Sequence, residues 1–248
     1  MSTHDHLAKA ARAMLKPIVT AHGFQQYGAR SYFRLCGWIA QFLDLRKSAW
    51  GGGSFTATQY IFLLIPPRED IGGVFGGRLP KKGKPLGTDG WWESESPEAA
   101  LRSMDEVCDI FETIAMPRFE QGSTLAGLVD ALKPEADGCP NTHFKKEVGC
   151  ALTCDGRLEE ALPYLHRAEQ EYRDGFRERP TAAWMERNAN YIRMLLDGIA
   201  ADQHGTLLEE WFQSSVKSLK IDKKWKTKDE ANKALQATAA APSVSTET

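Results

Sequence analysis

The chain has 248 residues, 42% hydrophobic and 26% charged, with a formal net charge of -2. That is a globular composition, long enough for one large domain or two small ones. It excludes a global basic field for nucleic acid, and the longest apolar run, Tyr60–Ile65, is far short of the ~20 residues that span a membrane.

The opening residues, MSTHDHLAKAARAML, carry His and Asp early and do not read as a secretory signal. Five unevenly spread cysteines predict a reduced, cytoplasmic protein with free thiols. Leu7 to His22 predicts an amphipathic helix with Leu7, Ala11, Met14, Leu15 and Ile18 on one stripe, a kink at Pro17 and a left-handed cap at Gly23. From Arg30 the pattern becomes that of strands. RSYFRLCGWIAQFLDLRKS is rich in aromatic residues, and Gly37 divides it into two strands or forms a bulge. WGGGSF then leads into FTATQYIFLLIP, a strand stopped by Pro66-Pro67. Arg68–Gly90, rich in Gly, Pro and Lys, reads as a long loop, and WWES as a short last strand.

Helices follow. Ser96 is a predicted N-cap with Pro97 at the first helical position, and Leu101, Met104, Val107, Cys108, Phe111 and Ile114 form the inward stripe of a helix that ends at Pro117. Thr124 to Leu132 predicts a short helix, and the prolines, glycine and acids of Lys133 to Pro140 predict a subdomain boundary. Beyond it come a helix over Thr142–Cys154, an apolar face of Leu158, Ala161, Leu162, Leu165, Ala168 and Tyr172 with Pro163 in conflict, and a helix over Thr181–Gly198. Trp184, Tyr191, Ile192 and Leu195 are expected to point inward there. Thr206 and Glu209 spell a capping box for a last helix. From Ile221 the chain turns polar and lysine-rich, and its low-complexity end is expected to be disordered.

The succession LKPIVTAHGFQQYGARSYFRL, LRKS, FTATQYIFLLIP, WWE and IAMPRFEQGSTLAGLVDAL resembles the bacterial domain-of-unknown-function family numbered 4304, over roughly residues 10–133. The resemblance implies a small α+β domain with no catalytic residues to carry over. Family members often have Gln where this chain has Arg46, so any ligand contact there would differ in chemistry. Val148–Tyr172 resembles half a tetratricopeptide unit. About three such units are needed for an independent solenoid, so a helical appendage packed on the α+β domain is expected.

The chemistry-bearing motifs are few. A P-loop needs a Lys-Ser/Thr pair and a helix after its glycines, whereas Gly51–Gly53 is followed by Ser54 and a strand. GGVFGG at Gly72–Gly77 fails the dinucleotide pattern because Val74 occupies a required glycine. The triple glycine therefore predicts a flexible hairpin connection. Cys139, His143, Cys150 and Cys154 pack in a small-residue helix core or, alternatively, converge on zinc; Cys36 and Cys108 lie in apolar stripes. No cofactor is expected. One basic patch is Arg78, Lys81, Lys82 and Lys84. The other is Lys217, Lys220, Lys223, Lys224, Lys226 and Lys228 around Trp225, which gives a nucleic-acid reading that Asp222, Asp229 and Glu230 dilute.

The predicted architecture is α+β: an antiparallel meander of three to four strands packed by helices (residues 1–135), a helical extension (140–219) and a disordered tail (220–248). The leading functional expectation is a non-enzymatic module that binds another protein, in an immunity- or antitoxin-like role. Candidate contacts are Arg34, Gln41, Arg46, Lys47, Trp50, Trp91 and Trp92. The alternative is a small-ligand binder or enzyme with a site between sheet and helices, lined by Arg34, Gln41, Arg46 and Trp92.

Overall fold

The structure, a computed structural model, describes residues 5–223 except 52 and 74. Of the expected disordered tail (220–248), residues 224–248, with Lys224, Trp225, Lys226 and Lys228, lie outside the described residues, as do Gly52 and Val74, whereas Ile221 is buried in the core. The fold is α+β, and among the described residues no helix is long and apolar enough to cross a membrane.

Two helical stretches share one device. α1 (His6–Ala10) passes through a π turn (Ala11–Leu15) into α2 (Lys16–Ala21), and α3 (Pro97–Ile110) passes through a π turn (Phe111–Ala115) into α4 (Met116–Gln121). Pro17 and Pro117 each lie in the first turn after the π turn. A proline there lacks an N–H and its ring would crowd the carbonyl one turn back, and the wider π turn takes up that misfit. The second helix thus continues through Pro117, where the sequence predicted its end. Ser96 caps α3 as expected, accepting from the Ala99 N–H at 3.1 Å, and Asp5 caps α1 through the Ala8 N–H at 3.2 Å.

The sheet is antiparallel throughout. β1 (Gln25–Gly28), β2 (Ser31–Cys36), β3 (Ile39–Lys47), β4 (Ser54–Leu63) and β5 (Phe75–Arg78) lie side by side in that order, and β6 (Trp92–Glu93) pairs with the start of β4. Gly37, at φ 59°, makes the turn between β2 and β3 rather than a bulge. The strands β1 and β5 exceed the predicted meander. β5 was hidden in the expected loop because half of it is glycine: at Gly76, φ is 127° and a Cβ would fall 2.4 Å from the Gln59 carbonyl oxygen.

The register β3/β4 pairs Leu43 with Gln59, Leu45 with Ala57 and Gln41 with Ile61 on one face, and Phe42 with Tyr60, Asp44 with Thr58 and Arg46 with Thr56 on the other. The first face meets α1–α4: the Tyr32 hydroxyl donates to the Ala11 carbonyl, and the Gln41 amide to the Phe119 carbonyl. The second carries a stack of Phe33, Phe42 and Phe62. α5 (Leu125–Gly138), α6 (Thr142–Cys154), α7 (Leu158–Glu178), α8 (Ala183–Ala200) and α9 (His204–Ser218) pack in succession. α9 reaches back to the second face, where Phe212 meets Trp38 edge-on and the Tyr27 hydroxyl donates to the Leu219 carbonyl at 2.7 Å. The buried core is one cluster from Leu7 to Ile221.

Several boundaries differ from the sequence reading. α5 continues through Pro134 to Gly138, across the segment read as a boundary, and α7 runs through Pro163. The expected capping box fails: α9 starts at His204, two residues before Thr206, and no side chain caps it. Trp184 on α8 is 40% exposed rather than inward.

The hairpin glycines are not equivalent. Gly51 (φ 80°) faces open space, whereas at Gly53 (φ 61°) a Cβ would lie 2.0 Å from Glu95 Cγ and 3.0 Å from its Cα. The Gly53 carbonyl also accepts from both the Ser94 N–H and its hydroxyl. Gly51→Ala is expected to cost about 1 kcal/mol, from the left-handed backbone alone, and Gly53→Ala about 2–3 kcal/mol. Urea unfolding midpoints check this, and equal losses would show that the approach to Glu95 is immaterial.

Candidate functional site

Folding sorts the sequence-nominated residues into three places. Arg46, Trp50 and Trp91 line a shallow groove of about 400 Å³ on the second sheet face, at the start of β4. Lys47 joins its rim, although its side chain follows the opposite face of β3 and reaches Asp5, 2.9 Å away, at the cap of α1. Arg34 and Gln41 lie on the helix-packed face, and Trp92 is in the core.

The groove is made of strand and loop residues only. Trp50 stands 97% exposed at the hairpin tip and Trp91 is 41% exposed, while Trp92, next in sequence, is 1% exposed and stacks on Phe55 at 5.9 Å. Alternation along an extended chain sends the two rings opposite ways, so the core takes only one. The Arg46 guanidinium sits 5.5 Å over the Tyr60 ring and donates to Asp44 Oδ2 at 2.6 Å. Arg78 sits 5.3 Å over Trp91 and pairs with Asp89. Thr56 and Thr58 form the floor. Tyr60 is not among the sequence candidates and Arg78 appears there only in a basic patch; the β3/β4 register puts Tyr60 on the same face as Arg46.

Arg34 and Gln41 form a tie beneath α4. Arg34 Nε donates to Gln41 Oε1 at 2.9 Å, and its Nη1 donates to the His22 carbonyl and Glu120 Oε1. Gln41 is fully buried and its amide donates to the Phe119 and Gly122 carbonyls at 2.6 and 3.1 Å. The expected site of Arg34, Gln41, Arg46 and Trp92 does not assemble, because Arg46 faces away from Gln41 and Trp92 is sealed by its neighbours.

The thiols are all free. Burial pushes the Cys108 and Cys150 thiols up to about 12 and also raises Cys36 and Cys154. Among the described residues no group of three or more His, Cys, Asp or Glu is placed to hold a metal. His143 instead meets the Tyr172 hydroxyl through Nδ1 at 2.7 Å and stacks on Trp184 at 5.3 Å.

A second concavity, about 550 Å³, lies at the other end of β4, between residues 66–73, α6 and α8. Its walls include Arg68, His143, Lys146, Glu147, Trp184 and Asn188. The sequence reading passed over it. The available signal is FKKEVGC in α6: residues 145–153 are all buried, so the charges among them must find partners inside.

Two consequences are measurable. Gln41→Leu strands two carbonyls and Arg34, and is expected to cost about 1–3 kcal/mol in chemical unfolding; a neutral effect would show that the tie is dispensable. Burial, reinforced by Lys146 and Arg68 and opposed by Glu147, lowers His143 to about 4, while Tyr172 holds its Nδ1. The unfolded chain binds this proton near pH 6.5 and the folded chain only near 4. Stability is therefore complete above 6.5 and falls as pH drops from 6.5 to 4. His143→Gln is expected to flatten that part of the pH dependence of the unfolding midpoint. Parallel curves would assign the acid sensitivity elsewhere.

No protein-family model matches the chain, and no curated protein or solved structure is significantly similar to it. The likeness read in the sequence rests on its quoted motifs alone.

Proposed function

We propose that the chain is a non-enzymatic binding module that docks a protein partner on the uncovered end of its sheet. The observation that carries this reading is the gathering of Trp50, Tyr60 and Trp91 with Arg46 and Arg78 in one groove, from residues distant in sequence. Tryptophan, tyrosine and arginine are the side chains that dominate protein–protein affinity, because they bury large rigid areas and keep a polar edge. The guanidiniums sit over the rings, 5.5 and 5.3 Å from the centroids, which leaves a broad surface at small entropic cost on binding. A partner with an apolar centre ringed by carboxylates complements it. An immunity- or antitoxin-like role, exercised by occupying a partner, suits such a module by analogy. The five free cysteines favour a reducing cytoplasm as its setting.

The test is affinity capture from extracts of the source cells with wild type, a Trp50→Ala/Trp91→Ala double variant, and Met194→Ala as a control at an exposed apolar residue on α8. A captured protein, identified and purified, is expected to bind wild type and control equally and the double variant at least about tenfold more weakly. Equal affinity for the double variant and wild type would remove the groove from the function.

A further inference from the structure

The concavity at the exit of β4 is built around charges taken out of water. Arg68 Nε donates to the Leu63 carbonyl at 2.6 Å and Nη1 to the Gly72 carbonyl at 3.0 Å, while Nη2 pairs with Glu147 Oε1. Its guanidinium lies 4.8 Å over Phe62. Lys146 Nζ donates to Asn188 Oδ1 at 3.0 Å and stands 3.6 Å from the same Glu147 oxygen. Lys146 is 7% exposed and Glu147 1%. The buried wall thus holds two cations against one carboxylate, both on Oε1. The other oxygen, Oε2, is buried with no partner.

Over the whole lining three cations (Arg68, Lys146, Arg187) meet three carboxylates (Glu69, Asp70, Glu147), but Glu69, Asp70 and Arg187 are exposed, so the surplus on the inner wall is positive. His143 is held neutral at physiological pH by burial and by Lys146. The Tyr172 hydroxyl, whose proton is retained because burial raises its pKa, hydrogen-bonds Nδ1 at 2.7 Å. Glu69 and Asp70 line the cavity from the exposed loop, opposite the exposed Arg187 on α8. Exposed charges are screened, whereas the excess positive charge at the wall is not. Trp184 and Tyr191 add two aromatic surfaces. The volume, about 550 Å³, is that of a metabolite pocket rather than a single-ion hole.

We propose that this cavity binds a small hydroxylated organic anion, its phosphate or carboxylate head against Lys146 and Arg68 and its body against Trp184 and Tyr191. The head compensates the unbalanced buried cation, since charge-assisted bonds from Lys and Arg are the strong ones. Hydroxyls on the body meet polar groups of the lining such as Asn188. The site is separate from the docking groove, which lies at the other end of β4, so each stands or falls alone.

The test is calorimetric titration of the full chain at about 0.15 M salt with glycerol 3-phosphate, with lactate, and with glycerol as the neutral control. Two variants accompany wild type. Lys146→Met removes the buried charge and keeps the stem. Trp184→Ala removes one of the two aromatic surfaces assigned to the ligand body, at a residue 40% exposed, so it decides the matter if Lys146→Met does not fold. Wild type is expected to bind at least one of the two anions and not glycerol, at least about tenfold more weakly in each folded variant. Binding of glycerol 3-phosphate alone assigns a phosphate head, and of lactate alone a carboxylate head. Binding of neither anion at ~10 mM, weaker than any millimolar affinity, overturns the proposal. So does binding that Trp184→Ala leaves unchanged, or that glycerol matches.

Discussion

The fold depends on the fact that the β3–β4 pair carries apolar side chains on both faces over half its length. Leu43, Leu45, Phe55, Ala57 and Ile61 point one way and Ala40, Phe42 and Phe62 the other, all buried. Each fully buried Leu or Phe is worth about 1.5–3 kcal/mol, so neither face can be left to water. α1–α4 cover the first. The second needs its own wall, and α9 with Leu219 and Ile221 supplies it, which is why the helical extension and the sheet share a single core.

That requirement is written in the strands. β4 alternates over Phe55-Thr56-Ala57-Thr58 and is then apolar without a break from Tyr60 to Ile65. β3 runs the other way, apolar from Ile39 to Leu43 except for Gln41, then alternating through Asp44, Leu45 and Arg46. Alternation marks a strand with one wet face and a continuous apolar run marks one covered on both. In the antiparallel register the two changes of pattern fall close together, and they mark where the helical cover stops. The groove of Arg46, Tyr60 and Trp91 begins there.

Local chemistry was legible where it is self-contained. Ser96-Pro97 caps its helix and Gly37 breaks the run into two strands, one of the two readings it allowed, because each depends on neighbours in sequence. What the sequence hid depends on distant partners. Pro117 reads as a stop until the π turn before it is seen to relieve its ring. Thr206 and Glu209 have the spacing of a capping box, but α9 starts earlier, where Leu208, Trp211 and Phe212 can all reach the core. Arg34 and Gln41 look like ligand-binding side chains. They are instead spent on carbonyls at the ends of α2 and α4, which a helix terminus leaves without intrahelical partners.

The same logic explains why an arginine stands where β4 leaves the sheet. At that point the end of a strand, an irregular loop, α6 and α9 all present polar groups that need partners. Arg68 meets the Leu63 carbonyl of β4, the Gly72 carbonyl of the loop and Glu147 of α6 with its side chain, while its backbone N–H donates to Ser215 Oγ of α9 at 2.9 Å. A planar guanidinium with five donors can satisfy three directions at once, and an ammonium on the same stem cannot hold that geometry. An apolar residue of similar size would strand the two carbonyls and Glu147 together. The charge cluster is therefore the joint that fixes how the helical layer meets the sheet. Lys146 carries the joint on into α8: its Nζ donates to Asn188 Oδ1 at 3.0 Å and stands 3.6 Å from Glu147 Oε1.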